Sequence, residues 1–199
     1  MNERLKQLTD KARILGLTYD QSLPQSIRVI IQQADADARP LNDDELDIIC
    51  SFSTINAKNL RRLQSKTPLI VTSAKSQLLR EDPGIVLPGG ALYPEARAEA
   101  CWRDCWHFLR VTMYAVATGR PAFTHHLGVQ GLSDLYQELA VPISSMALAI
   151  GFLKAEALSA YTSYASPNDA SLLGEALLHL EQMIQQLPQR SSSATEVLL

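Results

Sequence analysis

From Pro94 to Gly119 the chain runs without an internal glycine or proline, and its apolar residues recur three and four apart. A run that long with that spacing forms a helix and no other regular element, because it exceeds any ordinary strand. The same periodicity governs the rest of the 199 residues, and no stretch alternates like a half-buried strand. The chain reads as all-α.

Punctuation divides it into elements. Leu5, Leu8, Ala12 and Leu15 fall at helical spacing, so the segment up to Leu15 reads as an amphipathic helix stopped by Gly16. Pro24 opens a second helix through Ile27, Ile30 and Ile31 toward Ala38. Pro40 ends it, because the residue before a proline avoids helical angles. Asn42 is a fitting N-cap, followed by Asp43, Asp44 and Glu45. Acids in a first turn offset unpaired N–H groups and the positive helix end, which explains them without a catalytic carboxylate pair. That helix carries Leu46, Ile49, Cys50 and Phe52 inward and continues polar through Arg61 and Arg62. Another spans Pro68 to Arg80. Glu81-Asp82-Pro83-Gly84 through Pro88-Gly89-Gly90 is the strongest loop signal. The long helix from Pro94 to Ala117 follows, then helices from Val129 to Leu139 and from Pro142 to Tyr161. A last one has Ser166 as its cap and Pro167 in its first turn. His125 and His126 read as exposed loop residues, and residues 189–199 as a mobile tail.

Composition bounds the function. The length and the 46% hydrophobic content suit one core. A net charge of -3 with no basic patch argues against nucleic acid. The start, Met1-Asn2-Glu3-Arg4-Leu5-Lys6, lacks the apolar run of a secretory signal, and no stretch reads as the roughly 20 apolar residues of a membrane span. The expectation is a cytoplasmic protein that meets membranes only peripherally, through partners. Three cysteines do not make a disulfide framework. Cys50 reads as a buried small hydrophobe. Cys101 and Cys105 with His107 fall short of a four-ligand zinc site. With no nucleophile triad, phosphate loop or complete metal set, the expectation is a non-enzyme.

The informative stretch is Arg97-Ala98-Glu99-Ala100-Cys101-Trp102-Arg103-Asp104-Cys105-Trp106-His107-Phe108. On a helix, Arg97, Cys101, Asp104, Cys105 and Phe108 share one face, since positions three and four apart are neighbours. One stripe then offers a cation, a thiol, a carboxylate and an aromatic ring. A linear tetrapyrrole suits that set. A thiol fixes it covalently, a carboxylate accepts from its inner pyrrole N–H groups, and arginines hold its propionates by charge-assisted hydrogen bonds. The same residues taken alone also fit surface ion pairs around a buried cysteine.

Separated motifs narrow the choice. Ala34-Asp35-Ala36-Asp37-Ala38-Arg39, then Leu41 and Glu45-Leu46-Asp47, resembles the N-terminal signature of phycobiliprotein subunits. Pro88-Gly89-Gly90 and Tyr93, followed by Cys101-x-Arg103-Asp104, resembles the bilin attachment motif. Leu109-Arg110-Val111-Thr112-Met113-Tyr114-Ala115, Gly131-Leu132 with Tyr136, and Val141-Pro142-Ile143-Ser144-Ser145 continue the likeness. It spans about residues 24 to 187 and is most like allophycocyanin. The resemblance implies a globin-like fold with an extra N-terminal helical pair that docks on a partner subunit. It divides the chain into an N-terminal extension (1–21), a globin-like domain (22–188) and the tail.

It also implies roles. Cys101 would carry phycocyanobilin through a thioether, with Asp104 on the pyrrole nitrogens and Arg103 and Arg97 on the propionates. Phe108, Tyr136 and Ser73 would complete the bilin site, Ser73 standing where beta-type subunits carry asparagine. Asp35, Arg39, Arg110 and Tyr114 would form the interface with another phycobiliprotein subunit or a second copy of the chain. Cys105, Trp106, His107 and Phe108 replace the leucine, acid and tyrosines usual after the Arg-Asp pair, and Pro40 replaces an aromatic of the dimer contact. Cys105 is then either a buried substitute for leucine or a second sulfur for the bilin, and the role of His107 stays open. The expected function is a pigment protein for light harvesting, energy transfer or light sensing at a phycobilisome on the cytoplasmic face of thylakoids. The alternative is a bilin-poor adaptor that binds phycobiliprotein subunits through the family's dimer surface.

Overall fold

Asn42 begins the best-defined element boundary. Its side chain accepts from the Glu45 backbone N–H at 2.9 Å, and the Glu45 carboxylate accepts from the Asn42 N–H at 2.8 Å. This reciprocal capping box satisfies two donors that the helix itself leaves unpaired. In the computed structural model, which describes residues 3–189, nine α-helices carry the chain. They are α1 (Glu3–Lys11), α2 (Gln25–Ala36), α3 (Asp43–Ser53), α4 (Ala57–Ser65), α5 (Thr67–Glu81), α6 (Glu95–Thr118), α7 (His126–Glu138), α8 (Ile143–Thr162) and α9 (Pro167–Gln185). Among the described residues the one β-type pairing is an isolated bridge between Leu15 and Thr124. The all-α expectation holds. The expected tail falls almost wholly on residues 190–199, outside the described residues.

α6 organises the core. From Leu109 to Thr118 every residue is buried, so this half is surrounded by other helices, and α3, α4, α5, α8 and α9 all pack on it. Its two buried threonines stay satisfied by donating back to α6 carbonyls, Thr112 to Phe108 and Thr118 to Tyr114 and Ala115. Gly119 ends the helix at φ 69°, a left-handed cap that glycine adopts without steric cost. The first half of α6 is different. Glu95, Ala96, Glu99 and Arg103 remain exposed there while Ala98, Cys101 and Trp102 are buried, so one flank is left for a site.

Several boundaries depart from the expectation. The first helix ends at Lys11, because Ile14 and Leu15 are buried in an extended stretch that bonds to the segment before α7. The helix after Asn42 does not continue to Arg62. Thr54 turns left-handed at φ 66°, and Asn56 then caps α4 by accepting from the Asn59 N–H. Phe52, expected inward, is 44% exposed, because this break lets α3 end on the surface. The 81–90 loop contains a short 3-10 turn over Pro83–Val86 that buries Ile85. α7 begins three residues earlier than expected, so His126 lies in its first turn and His125 is the half-buried residue before it, stacked on Tyr19 at 4.5 Å.

α8 also corrects the expectation about membrane spans, since it is long and apolar enough to pass a length and composition test for one. Its buried residues, Ile143, Met146, Ala149, Ile150, Leu153, Ala157 and Tyr161, follow helical spacing, and the helix packs between α5 and α9. Removing a buried leucine such as Leu153 would cost about 2–5 kcal/mol.

Candidate functional site

The exposed flank of α6 opens onto a cavity of about 580 Å³. Ala96, Ala100, Arg103 and His107 line it at one helical spacing, with Arg97, Cys101 and Asp104 beside them. Leu135, Tyr136 and Leu139 of α7 face them, Val141, Pro142 and Met146 close the far end, and Leu92 enters from the loop before α6. Leu5 and Thr9 of α1 complete the lining. The walls are mostly apolar, with a few convergent polar groups, the usual make-up of a small-molecule site.

Asp104 is the electrostatic centre. The Tyr136 hydroxyl donates to its carboxylate at 2.9 Å. Burial pushes the Asp104 carboxyl above the usual carboxylate range, and the Tyr136 bond and the Arg103 charge only partly oppose this. Burial, then the neighbouring Asp104, pushes the Tyr136 phenol up as well, so Tyr136 stays protonated as a donor. A buried carboxyl so short of counter-charge suits a cationic or N–H-rich ligand. Cys101 lines the same cavity at 5% exposure, close enough to Asp104 for one ligand to meet both. Cys105 is buried among core residues, and the Cys101 sulfur followed by burial drives its thiol well above the ordinary range. Cys105 is therefore held as a neutral thiol, off the cavity lining. Burial, then the charges of Arg110 and Arg103, lowers the His107 ring, so an uncharged imidazole faces the cavity at neutral pH.

Arg103 stands exposed at the rim. Arg97 lines the cavity, but its guanidinium donates to the Ala140 and Leu139 carbonyls, both at 2.9 Å. It clamps the end of α7, where carbonyls lack helical partners. Phe108 departs from the expectation. It sits on the same stripe but one residue past His107, where α6 enters the core, and it does not line the cavity. Ser73, half-buried on α5, does not line it either. α5 approaches this part of α6 at Trp102, with the Lys75 ammonium 5.5 Å above the indole. Leu5, Thr9, Leu92 and Met146 escaped sequence reading, because apolar spacing marks a buried face without saying whether it meets protein or ligand.

The four remaining residues meet further along α6. The Arg110 guanidinium pairs with Asp35 at 2.9 Å and donates to the Tyr114 hydroxyl at 2.7 Å. Tyr114 in turn donates to the Arg39 carbonyl, and Arg39 holds Glu45 in a bidentate pair at 2.7 and 2.8 Å. These bonds tie α2 and the start of α3 to α6, while the buried Arg110 Nε has no hydrogen-bond partner among the described residues.

A family model described as phycobilisome protein matches residues 29–187. The chain belongs to this phycobilisome protein family. It is 34% identical over 147 residues to an allophycocyanin alpha chain of Arthrospira platensis, covering 72% of this chain and 89% of that relative. It is 39% identical over 132 residues to one of Galdieria sulphuraria, covering 65% and 82%. A third, from Cyanophora paradoxa, is 35% identical over 147 residues. In this phycobilisome protein Cys101, Asp104 and Tyr136 fall inside the matched region, whereas α1, with Leu5 and Thr9, precedes it.

Proposed function

We propose that this chain is a pigment-binding phycobiliprotein subunit that carries a linear tetrapyrrole, phycocyanobilin, at Cys101 for light harvesting or energy transfer. It would act beside another subunit of the family or a second copy of itself, at phycobilisomes on thylakoids. One observation carries the reading. A buried thiol and a desolvated carboxyl line one largely apolar cavity of about 580 Å³, inside the region the family model matches.

These residues fit such a pigment. Cys101 supplies the sulfur for a thioether. Asp104, held by Tyr136, presents a carboxylate where pyrrole N–H groups can donate, and its burial makes a cationic partner favourable. Arg103 at the rim suits a propionate. Arg97 is engaged by α7 and suits a propionate only while keeping one of its carbonyls. The apolar walls exclude water and hold the ligand's shape, while the bound pigment supplies the absorption. His107, edge to face with Trp106 at 5.0 Å, lines the cavity where the resemblance puts a tyrosine, and so removes a hydroxyl from this wall.

The test is coexpression with a phycocyanobilin-producing pathway and a bilin lyase, followed by an absorption spectrum and zinc-enhanced fluorescence on a denaturing gel. The wild-type chain should give a coloured, fluorescent band that Cys101→Ala abolishes. A helical, folded, colourless wild-type chain would contradict the reading.

A further inference from the structure

We infer that the N-terminal segment, residues 3–16, is a strap that seals one wall of the cavity and positions the ligand held there. This deepens the pigment reading and rests on it for the ligand's identity, although the covering itself does not.

The segment is fastened at both ends. At one end the Arg4 guanidinium pairs with Glu138, at the C-terminus of α7, at 2.8 Å. At the other, the Gly16 N–H donates to the Phe123 carbonyl at 2.7 Å and the His125 N–H to the Ile14 carbonyl at 2.8 Å. Between them the backbone rides directly on α7. A Cβ at Gly128 would lie 1.9 Å from the Arg13 carbonyl oxygen, and one at Gly131 would lie 2.3 Å from that of Lys11. Only glycine permits that approach, so α7 is shaped to receive the strap.

That seat aims α1 at the site. Leu5 and Thr9, one turn apart, line the same cavity as Cys101, Asp104 and Tyr136. The Thr9 hydroxyl donates to the Leu5 carbonyl at 2.8 Å, so the wall it makes with Leu5 offers no free donor to water. α1 is not a core element. None of its nine residues is fully buried, and a helix so short has little stability alone. It precedes the region matched by the family model, so this wall is an addition to the shared domain. Covering this side would keep Asp104 desolvated and strengthen its pairing with a cationic ligand.

Alkylation of Cys101 by iodoacetamide, followed residue by residue in the pigment-free chain by mass spectrometry, reads the covering without any ligand. Deleting residues 2–12 should raise the Cys101 rate severalfold while Cys50, buried in the core, stays protected. The double change Leu5→Ala, Thr9→Ala, which touches no fully buried residue, should give a smaller rise in the same direction. An unchanged Cys101 rate in both variants, or a rise shared equally by Cys50, would overturn the strap. Absorption of pigment-loaded protein keeps the two readings apart. If Cys101 becomes reactive but even the wild-type chain takes up no pigment, the pigment reading fails and the strap stands. If the wild type colours and the variants match it in both alkylation and spectrum, the strap fails alone.

Discussion

Asp104 carries a cost to the fold at the proposed site. Its carboxyl is raised by burial in the folded chain above its unfolded value near 3.9. The stability of a group shifted in that direction is fully present below the unfolded value and lost as pH rises through the folded one. At pH 7, where the unfolded chain holds this carboxyl ionised, its desolvation therefore destabilises the pigment-free protein. Asp104→Asn, which keeps an acceptor for Tyr136, is expected to resist urea at least as well as the wild type at pH 7. Its advantage should shrink as pH falls toward 4, which urea unfolding at several pH values will check. In pigment-loaded protein the same change should alter the absorption maximum, because the charge facing the ligand is gone. That Cys101 and Asp104 share one helix face was legible in sequence from their spacing on an unbroken helix. Phe108 was misplaced because azimuth is readable from spacing, whereas the depth at which a helix enters the core depends on every other element. Arg97 carries the same lesson, since its carbonyl partners at the end of α7 lie more than forty residues away in sequence.

Among the helices, boundaries written in capping chemistry were the most legible. Asn42 with Glu45 and Ser166 with Asp169 cap α3 and α9 as their sequences indicate. Asn42→Ala removes one half of the capping box and should cost about 1 kcal/mol in urea unfolding, with the helical content of the folded state preserved. An unchanged midpoint would mean that tertiary packing alone fixes the start of α3. The break between α3 and α4 was not legible, because Thr54 is no strong left-handed former and nothing local demands the turn. The same holds for the end of α1. Periodicity runs on to Leu15, yet the pairing of Leu15 with Thr124 wins, and that partner is more than a hundred residues away. Such contacts override propensity without leaving a local mark.

Across the whole molecule, α6 couples two regions, the cavity along its first half and the Arg110 network further on. Arg110 and Asp35 expose only 7% and 15% of their side chains, so removing one leaves a buried, unpaired charge. Arg110→Ala should destabilise the chain by about 3 kcal/mol, and the paired change Asp35→Leu, Arg110→Met should recover much of that loss. Because the contact lies within one chain, the effect on thermal unfolding should not vary with protein concentration. A loss that grows on dilution would instead point to a contact between subunits, the arrangement that the family resemblance implies. Fold class and family were thus open to sequence reading through periodicity and dispersed motifs. The bonds that join Asp35, Arg39, Arg110 and Tyr114 within the chain were not, since a motif does not state which of its members touch one another.

The proposed attachment of pigment at Cys101 is directly testable, because trypsin places that residue alone among the cysteines in the peptide from Ala98 to Arg103. Mass spectrometry of that peptide, from wild-type chain coexpressed with pigment synthesis and lyase, should show the added mass of one bilin. The neighbouring peptide that carries Cys105 should be unmodified. Bilin found on the Cys105 peptide, or on neither in a folded and fully supplied protein, would contradict it.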